Sequence, residues 1–182
     1  MISLANIQSH GLVGHYERKG IYAVDEILPF VRHDDEWVLF DGDEVKMSSA
    51  RYHLFTRQTA CQKCGIIGLF FAKERSVFRD KRTPGKFYPS SHRFHFNLYG
   101  INARGHQVML TKDHIMPRAH GGSDEQSNFQ TLCAPCNSRK RDRLPNETDH
   151  EYAERRKLEL KIEKERNAKP SMHKGVNSSH YP

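Results

Sequence analysis

Apolar and polar positions alternate over two neighbouring stretches of the chain. Phe94, Phe96 and Leu98 alternate in "FHFNLYG", and Val108 and Leu110 in "HQVMLTKDH". Between them "INARG" supplies an Asn and a Gly that tolerate positive φ, so the pattern predicts a β-hairpin. The period changes in "DEVKMSSARYHLFTRQ". There Met47, Ala50, Arg51, Leu54 and Phe55 follow a helical i, i+3, i+4, i+7, i+8 rhythm, the Arg lying along the face by its aliphatic stem. Two short strands are expected earlier, in "GIYAVDEILPFV" and "EWVLF", separated by "RHDDE" and closed by the turn "DGD". Downstream, the short strand "NFQTL" leads into "CAPCNSRKRDRL", whose Cys pair would open a helix.

Two stretches carry less pattern. Residues 73–93 are polar, basic and broken by Pro84, Gly85 and Pro89, which predicts a surface loop. Phe78, Phe87 and Tyr88 are interleaved with its Arg and Lys residues, a mixture that suits phosphates and bases; the alternative is a solvated connector. Residues 149–167 have good helix propensity and a thin apolar stripe of Tyr152, Leu158 and Ile162, which fits a solvated charged helix. The expected organisation is an N-terminal β-rich segment (1–45), a central domain (46–145), a charged helix (146–169) and a disordered tail (170–182).

Composition narrows the function. A chain of 182 residues with 36% hydrophobic residues buries only a modest core. The formal charge is +7, and it is unevenly placed. Residues 1–50 carry 4 Lys/Arg against 9 Asp/Glu, while residues 51–182 carry 25 against 13. The basic excess therefore shares the half that holds every cysteine, which favours a nucleic-acid face over solubility alone. No apolar run approaches the roughly 18 residues of a membrane span, and no signal-peptide pattern opens the chain, so a cytoplasmic protein is expected.

Cys61-x-x-Cys64 and Cys133-x-x-Cys136 are separated by 68 residues. Two-residue spacing lets both sulfurs of a knuckle reach one tetrahedral Zn²⁺, and two knuckles leave no open position. The expected ion is structural. Unconnected thiols or redox pairs are the alternative.

Between the cysteine pairs, Asp113, His114, Asn128, Asn137 and Lys140 stand in a fixed order. Singly each is weak. Phosphodiester hydrolysis needs a base for water, a divalent cation and cationic groups for the strand, and this set could supply them. The ordered stretch "KDHIMPRAHGGSDEQSNFQTLCAPCNSRK", with "CQKCG" upstream, resembles the HNH endonucleases, the zinc-stapled members of the ββα-metal nucleases. The resemblance covers about residues 61–143. It implies an α+β fold with a ββα-metal core, a β-hairpin and a structural Cys₄ zinc.

The resemblance also implies roles. His114 is the general base, Asp113 the acidic metal ligand, and Asn128 the residue that braces the loop between the two strands. Cys61, Cys64, Cys133 and Cys136 are the zinc ligands. Arg118, Arg139, Lys140 and Arg141 would contact the DNA. The family commonly places a last His after the second knuckle; Asn137 stands there, an H-N-N pattern. An Asn carbonyl is a hard oxygen donor, so Mg²⁺ or Mn²⁺ is expected as the catalytic ion. The substrate implied is double-stranded DNA, cut by a phage-type or homing enzyme in the host cytoplasm, and a homodimer would be needed to cut both strands. Two other readings stay open: a non-catalytic zinc-ribbon binder of nucleic acid, and a nuclease subunit of a restriction or packaging complex.

Overall fold

The computed structural model describes residues 7–83, 85–89 and 93–168. The tail expected over 170–182 lies outside them. The described residues fall into two units, one within 1–142 and one within 143–182.

The first unit is an α+β fold built on antiparallel strands. A hairpin of β1 (Gly11–Val13) and β2 (Tyr16–Ala23) leads into α1 (Val24–Ile27) and a 3₁₀ turn (Leu28–Phe30). The strand expected in "GIYAVDEILPFV" thus stops at Ala23. Asp25 and Glu26 fall in the first turn of α1, and Glu26 Oε2 accepts the Ala23 N–H at 2.5 Å. Acidic groups at a helix N-terminus favour this switch. A separate two-stranded sheet follows, β3 (Trp37–Phe40) with β4 (Asp43–Lys46). Its turn residues Asp41 and Gly42 have φ of 48° and 77°, which suits the twist of a two-residue hairpin. The helix expected over 43–58 is therefore shorter, α2 (Ala50–Phe55), because Asp43–Lys46 is claimed by the hairpin.

The main sheet continues with β5 (Gly68–Arg79), β6 (Phe87–Pro89), β7 (His95–Ile101), β8 (Gln107–His114) and β9 (Phe129–Cys133), followed by α3 (Ala134–Lys140). Its order is β1-β2-β5-β7-β8-β9, with β6 paired to β5. The hairpin expected around "INARG" is β7–β8. One face carries the larger core, with Ile27, Val45, Met47, Tyr52, Phe71 and Leu110 among its buried side chains. The other carries Phe70, Ala72 and Tyr99.

The main departure from the pattern lies at residues 73–79, read above as loop and found in β5. Lys73 and Glu74 are fully buried. The Lys73 ammonium donates to the Phe40 and Asp41 carbonyls at 2.6 and 2.9 Å and pairs with Asp43 at 2.7 Å, fastening the β3–β4 hairpin to the sheet. The Glu74 carboxylate pairs with buried Arg18 at 2.6 Å and accepts from Asn97 and Tyr99 at 2.8 and 2.9 Å. Buried charges persist when each is paired and hydrogen-bonded. Burial and the neighbouring Glu74 charge push the Tyr99 hydroxyl pKa well above its ordinary value.

Register places the functional residues. His95 is opposite Glu74, and Leu98 is opposite Leu110. The β7–β8 pairing runs from Ile101↔Gln107 to Leu98↔Leu110, so the start of β7, opposite Glu74, and the end of β8 point to the same end of the sheet. His95 and Lys112 accordingly line one cleft, with Arg51 and Tyr52. The end of β8, the start of β9 and the run of β5 toward β6 therefore share one end of the sheet.

The second unit is described by α4 (Asp149–Ala168). Thr148 and Glu151 form a reciprocal cap, with Thr148 N–H to Glu151 Oε2 at 2.8 Å and Glu151 N–H to Thr148 Oγ1 at 3.2 Å. Arg155 bridges Glu147 and Glu159, each at 2.7 Å. Leu158, Leu160 and Ile162 are exposed. No helix among the described residues is long and apolar enough to cross a membrane.

Candidate functional site

The four cysteine sulfurs come together, all within 4.8 Å of one another. Cys64 Sγ and Cys133 Sγ are 3.6 Å apart. A tetrahedron with Zn–S bonds of about 2.3 Å has edges of about 3.8 Å, so this set fits a zinc ion. The first knuckle turns because Gly65, at φ 75°, returns its N–H to the Cys61 carbonyl at 2.9 Å. Gln58 anchors the segment ahead of the knuckle to β9, accepting the Thr131 N–H on Oε1 and the Thr131 hydroxyl on its carbonyl, each at 2.6 Å. Burial raises the Cys133 thiol to about 12. Burial also acts upward on Cys61, but backbone N–H groups of Cys133, Cys64 and Lys63 outweigh it and hold that thiol at about 6. One thiolate is thus ready at neutral pH, and a bound cation would deprotonate the rest.

The second constellation sits at the far end of β8. Strand alternation sends Asp113 and His114 to opposite faces. On one face His114 meets its cross-strand partner Phe129 edge-on, with ring centroids 4.9 Å apart. Lys112 lies on the same face with its Nζ 3.6 Å from the Phe129 ring centroid, and burial lowers its pKa. On the other face Asp113 and Thr111 lie beneath α3. Asp113 Oδ2 accepts from Gln130 at 2.9 Å and pairs with the Lys140 ammonium at 2.9 Å. Lys140 also donates to the His114 carbonyl at 2.6 Å. Its side chain is only 17% exposed, so Lys140 faces inward rather than toward a phosphate strand.

Asn137 lies one helical turn before Lys140. The Thr111 hydroxyl donates its proton to the Leu132 carbonyl at 2.9 Å, so Thr111 Oγ1 must accept from Asn137. That fixes Asn137 Nδ2 toward Thr111, at 3.0 Å, and leaves Oδ1 as its acceptor. Asp113 and Asn137 thus share one face of β8, two strand positions apart at Asp113 and Thr111.

The loop between β8 and β9 is held by its own short bonds. Gly121 takes φ 81°, and a Cβ on Gly122 would meet the Met116 carbonyl oxygen at 1.8 Å, so the Gly pair is required by a tight return. Asn128 Oδ1 accepts the Met116 N–H at 2.8 Å. Its Nδ2 donates to the carbonyls of Met116 and Ser123 at 3.1 and 2.8 Å. Asn128 therefore clamps both limbs of the loop.

The loop then delivers Asp124, which the sequence reading passed over. Asp124 Oδ1 lies 2.7 Å from His114 Nε2, and its Oδ2 accepts from Arg118 at 2.7 Å. The hydrogen bond from His114, aided by the Arg118 and Lys112 charges, holds the Asp124 carboxyl below the usual carboxylate range. A carboxylate only accepts, so Nε2 carries the proton and the neutral ring's lone pair is on Nδ1. Of the other expected DNA contacts, Arg139 points a guanidinium nitrogen at Cys136 Sγ, 3.4 Å away. Arg141 ends α3 with a positive φ of 54°. The signal for Asp124 was the spacing G-G-x-D itself, which places an acid just after a tight return toward the strand end.

No curated protein and no solved structure matches the chain. Residues 104–153, which run from the β7–β8 turn through the second knuckle and into α4, match the HNH endonuclease family model. Over that segment the chain is similar to the HNH endonucleases.

Proposed function

We propose that the chain is a metal-dependent endonuclease that hydrolyses phosphodiester bonds in double-stranded DNA, of the phage or homing type. The observation that carries this reading is the oriented His114. Its ring stands at a strand end, its Nε2 is engaged by Asp124, and its Nδ1 is left as the basic atom. In this role Nδ1 takes a proton from the attacking water while Asp124 keeps the ring in one tautomer. Asn128 holds the loop that brings Asp124 to the ring. The β8, β9 and α3 elements serve as the ββα-metal core.

Asp113 and the free carbonyl of Asn137 form an oxygen donor pair that suits Mg²⁺ or Mn²⁺. Asp113 Oδ2 already pairs with the Lys140 ammonium at 2.9 Å, so a divalent ion there would share or displace that cation. Asp113 and Asn137 would hold such an ion, whose charge would offset that of the phosphodiester during hydrolysis. The Cys₄ set holds the structural Zn²⁺. Arg118, with 69% of its side chain exposed, is the cationic group of the loop best placed to meet a phosphate.

Incubation of the zinc-loaded protein with supercoiled plasmid tests the reading. Nicked or linear product is expected with Mg²⁺ or Mn²⁺ and none without added divalent ion. Retardation of the plasmid without cleavage under every ion condition would instead establish the zinc-ribbon binder.

Asp124→Ala separates positioning from folding. Asp124 is exposed and touches only His114 and Arg118 through its carboxylate, so stability should change little. The cleavage rate is expected to fall about 10- to 100-fold at saturating DNA, with KM changed much less. Asp124→Glu is expected to restore part of that rate. A proportional rise in KM at unchanged rate would show that Asp124 acts in DNA binding instead.

A further inference from the structure

We propose that the ribbon formed by the outer part of β5 and by β6 is a docking arm that enters a groove of duplex DNA beside the cut. The proposal rests on the reading of the chain as a DNA nuclease and assigns it a substrate-holding surface outside the family-matched segment, which begins at residue 104.

The ribbon leaves the sheet at the end that carries Asp113 and His114. β5 pairs with β7 as far as Glu74, opposite His95 at the start of β7, and then runs on to Arg79. Its extension pairs with β6 through Val77↔Pro89, Phe78↔Tyr88 and Arg79↔Phe87. At about 3.3 Å per residue, Arg79 lies about 16 Å beyond Glu74. An extension of about 16 Å spans about five base pairs along a duplex at about 3.4 Å each.

The surface of the ribbon has the chemistry for this. Phe78 and Tyr88 are direct cross-strand partners, yet they are 59% and 45% exposed. An aromatic pair on a two-stranded ribbon normally gains its stability by being covered. Around them stand Lys81, Arg82 and Lys86, all exposed. Lys86 lies over the Tyr88 ring at 5.2 Å. Lys81 and Arg82 make no side-chain ion pair among the described residues. Asp80, the acid among them, is turned back into the hairpin, accepting the Arg82 N–H at 2.8 Å and the Tyr88 hydroxyl at 3.2 Å. The outward charge of the tip is therefore positive. A two-stranded ribbon fits the major groove, about 12 Å wide, which makes duplex rather than unstacked single strand its expected occupant.

The test uses the full chain, zinc-loaded, in a His114→Ala background without added divalent ion, so that binding is read apart from cleavage. Fluorescence anisotropy is measured on a labelled 30-base-pair duplex and on the corresponding single strand, from low to moderate salt. With Lys81→Ser, Arg82→Ser and Lys86→Ser combined, the salt slope of log K is expected to shrink by about 2 to 3. Duplex affinity near physiological salt should fall about 10- to 100-fold. Phe78→Ser with Tyr88→Ser should weaken duplex binding at an unchanged salt slope. Zinc content and melting temperature should match the parent, since every changed side chain is exposed.

Duplex affinity within about twofold of the parent and an unaltered slope in both variants would overturn the arm. So would a loss confined to the single strand. Plasmid nicking by the unaltered protein is scored separately. Nicking with unaltered ribbon-variant binding removes the arm alone. Weakened ribbon-variant binding in a protein that never nicks removes the nuclease reading and leaves the arm.

Discussion

His114→Ala is expected to lower the DNA cleavage rate by about 10²- to 10⁴-fold, the range over which a positioned base contributes. The structure makes this substitution clean. Among the described residues the His114 side chain bonds to Asp124 and meets Phe129 edge-on. Asp124 keeps Arg118 when the ring is removed. Asp113, Gln130 and Lys140 lie on the opposite face, and the Lys140 bond is to the His114 backbone carbonyl, which Ala retains. Cys133 and Cys136 lie at the opposite end of α3 from Lys140, at its N-cap and in its first turn. Zinc content and duplex affinity should therefore stay near the parent values while product formation collapses. The readout is nicked and linear plasmid over time with Mg²⁺, together with metal analysis of the same sample. A rate equal to the parent's would mean that another group activates the water and would remove His114 from the mechanism.

The legible part of the site was the part encoded by local spacing. The D-H pair, the Gly pair, Asn128 and the second knuckle lie within about 25 residues, and a strand–loop–strand–helix path leaves each little freedom of placement. The β7–β8 hairpin was legible for the same reason, since Phe96, Leu98, Val108 and Leu110 alternate toward one core across a short turn, although Tyr99 is buried on the other face. What failed was the inference from charge to exposure. "KERSVFR" carries four charges in seven residues, and its first two are fully buried because Asp43 and Arg18 reach them from distant strands. Nothing local announces those partners. The same long-range pairing hid the true extent of β5, and with it the ribbon. The helix expected over 43–58 failed differently: the turn at Asp41–Gly42 was visible, but its second strand, Asp43–Lys46, is too short to show a period of two against a helical rhythm.

Lys140 shows how a residue type can be placed correctly in sequence and still face an unexpected way. Its spacing three residues after Asn137 put both on one helix face, as found, but that face covers β8 rather than solvent. The ammonium neutralises Asp113 and ties α3 to the end of β8. A cation at this position stabilises the carboxylate whether it comes from a side chain or from solution.

Cys64→Ser is expected to be as destabilising as Cys133→Ser, and this equality tests the zinc centre directly. The two residues differ in setting: Cys133 is buried at the start of α3, while Cys64 is exposed at the tip of the first knuckle. As an isolated thiol, Cys64 would be a surface residue, and its replacement by Ser would change stability by no more than about 0.5 kcal/mol. As one of four ligands it completes the tetrahedron, and three thiolates with one hydroxyl hold zinc far less tightly. An ion held by all four would join two segments separated by 68 residues, so its loss would release a long loop as well as the bonds themselves. A loss of about 5 kcal/mol would lower Tm by roughly 10–20 °C for a unit of this size. Both variants should also retain little bound zinc and lose cleavage, because α3, which carries Asn137 and Lys140, begins at the second knuckle. Thermal melting and metal content measured on the two proteins side by side decide the matter. If Cys64→Ser melts with the parent and keeps one zinc per chain, Cys64 is not a ligand and the Cys₄ centre falls. If both melt low and zinc-free, the exposed sulfur is holding the core together from outside it.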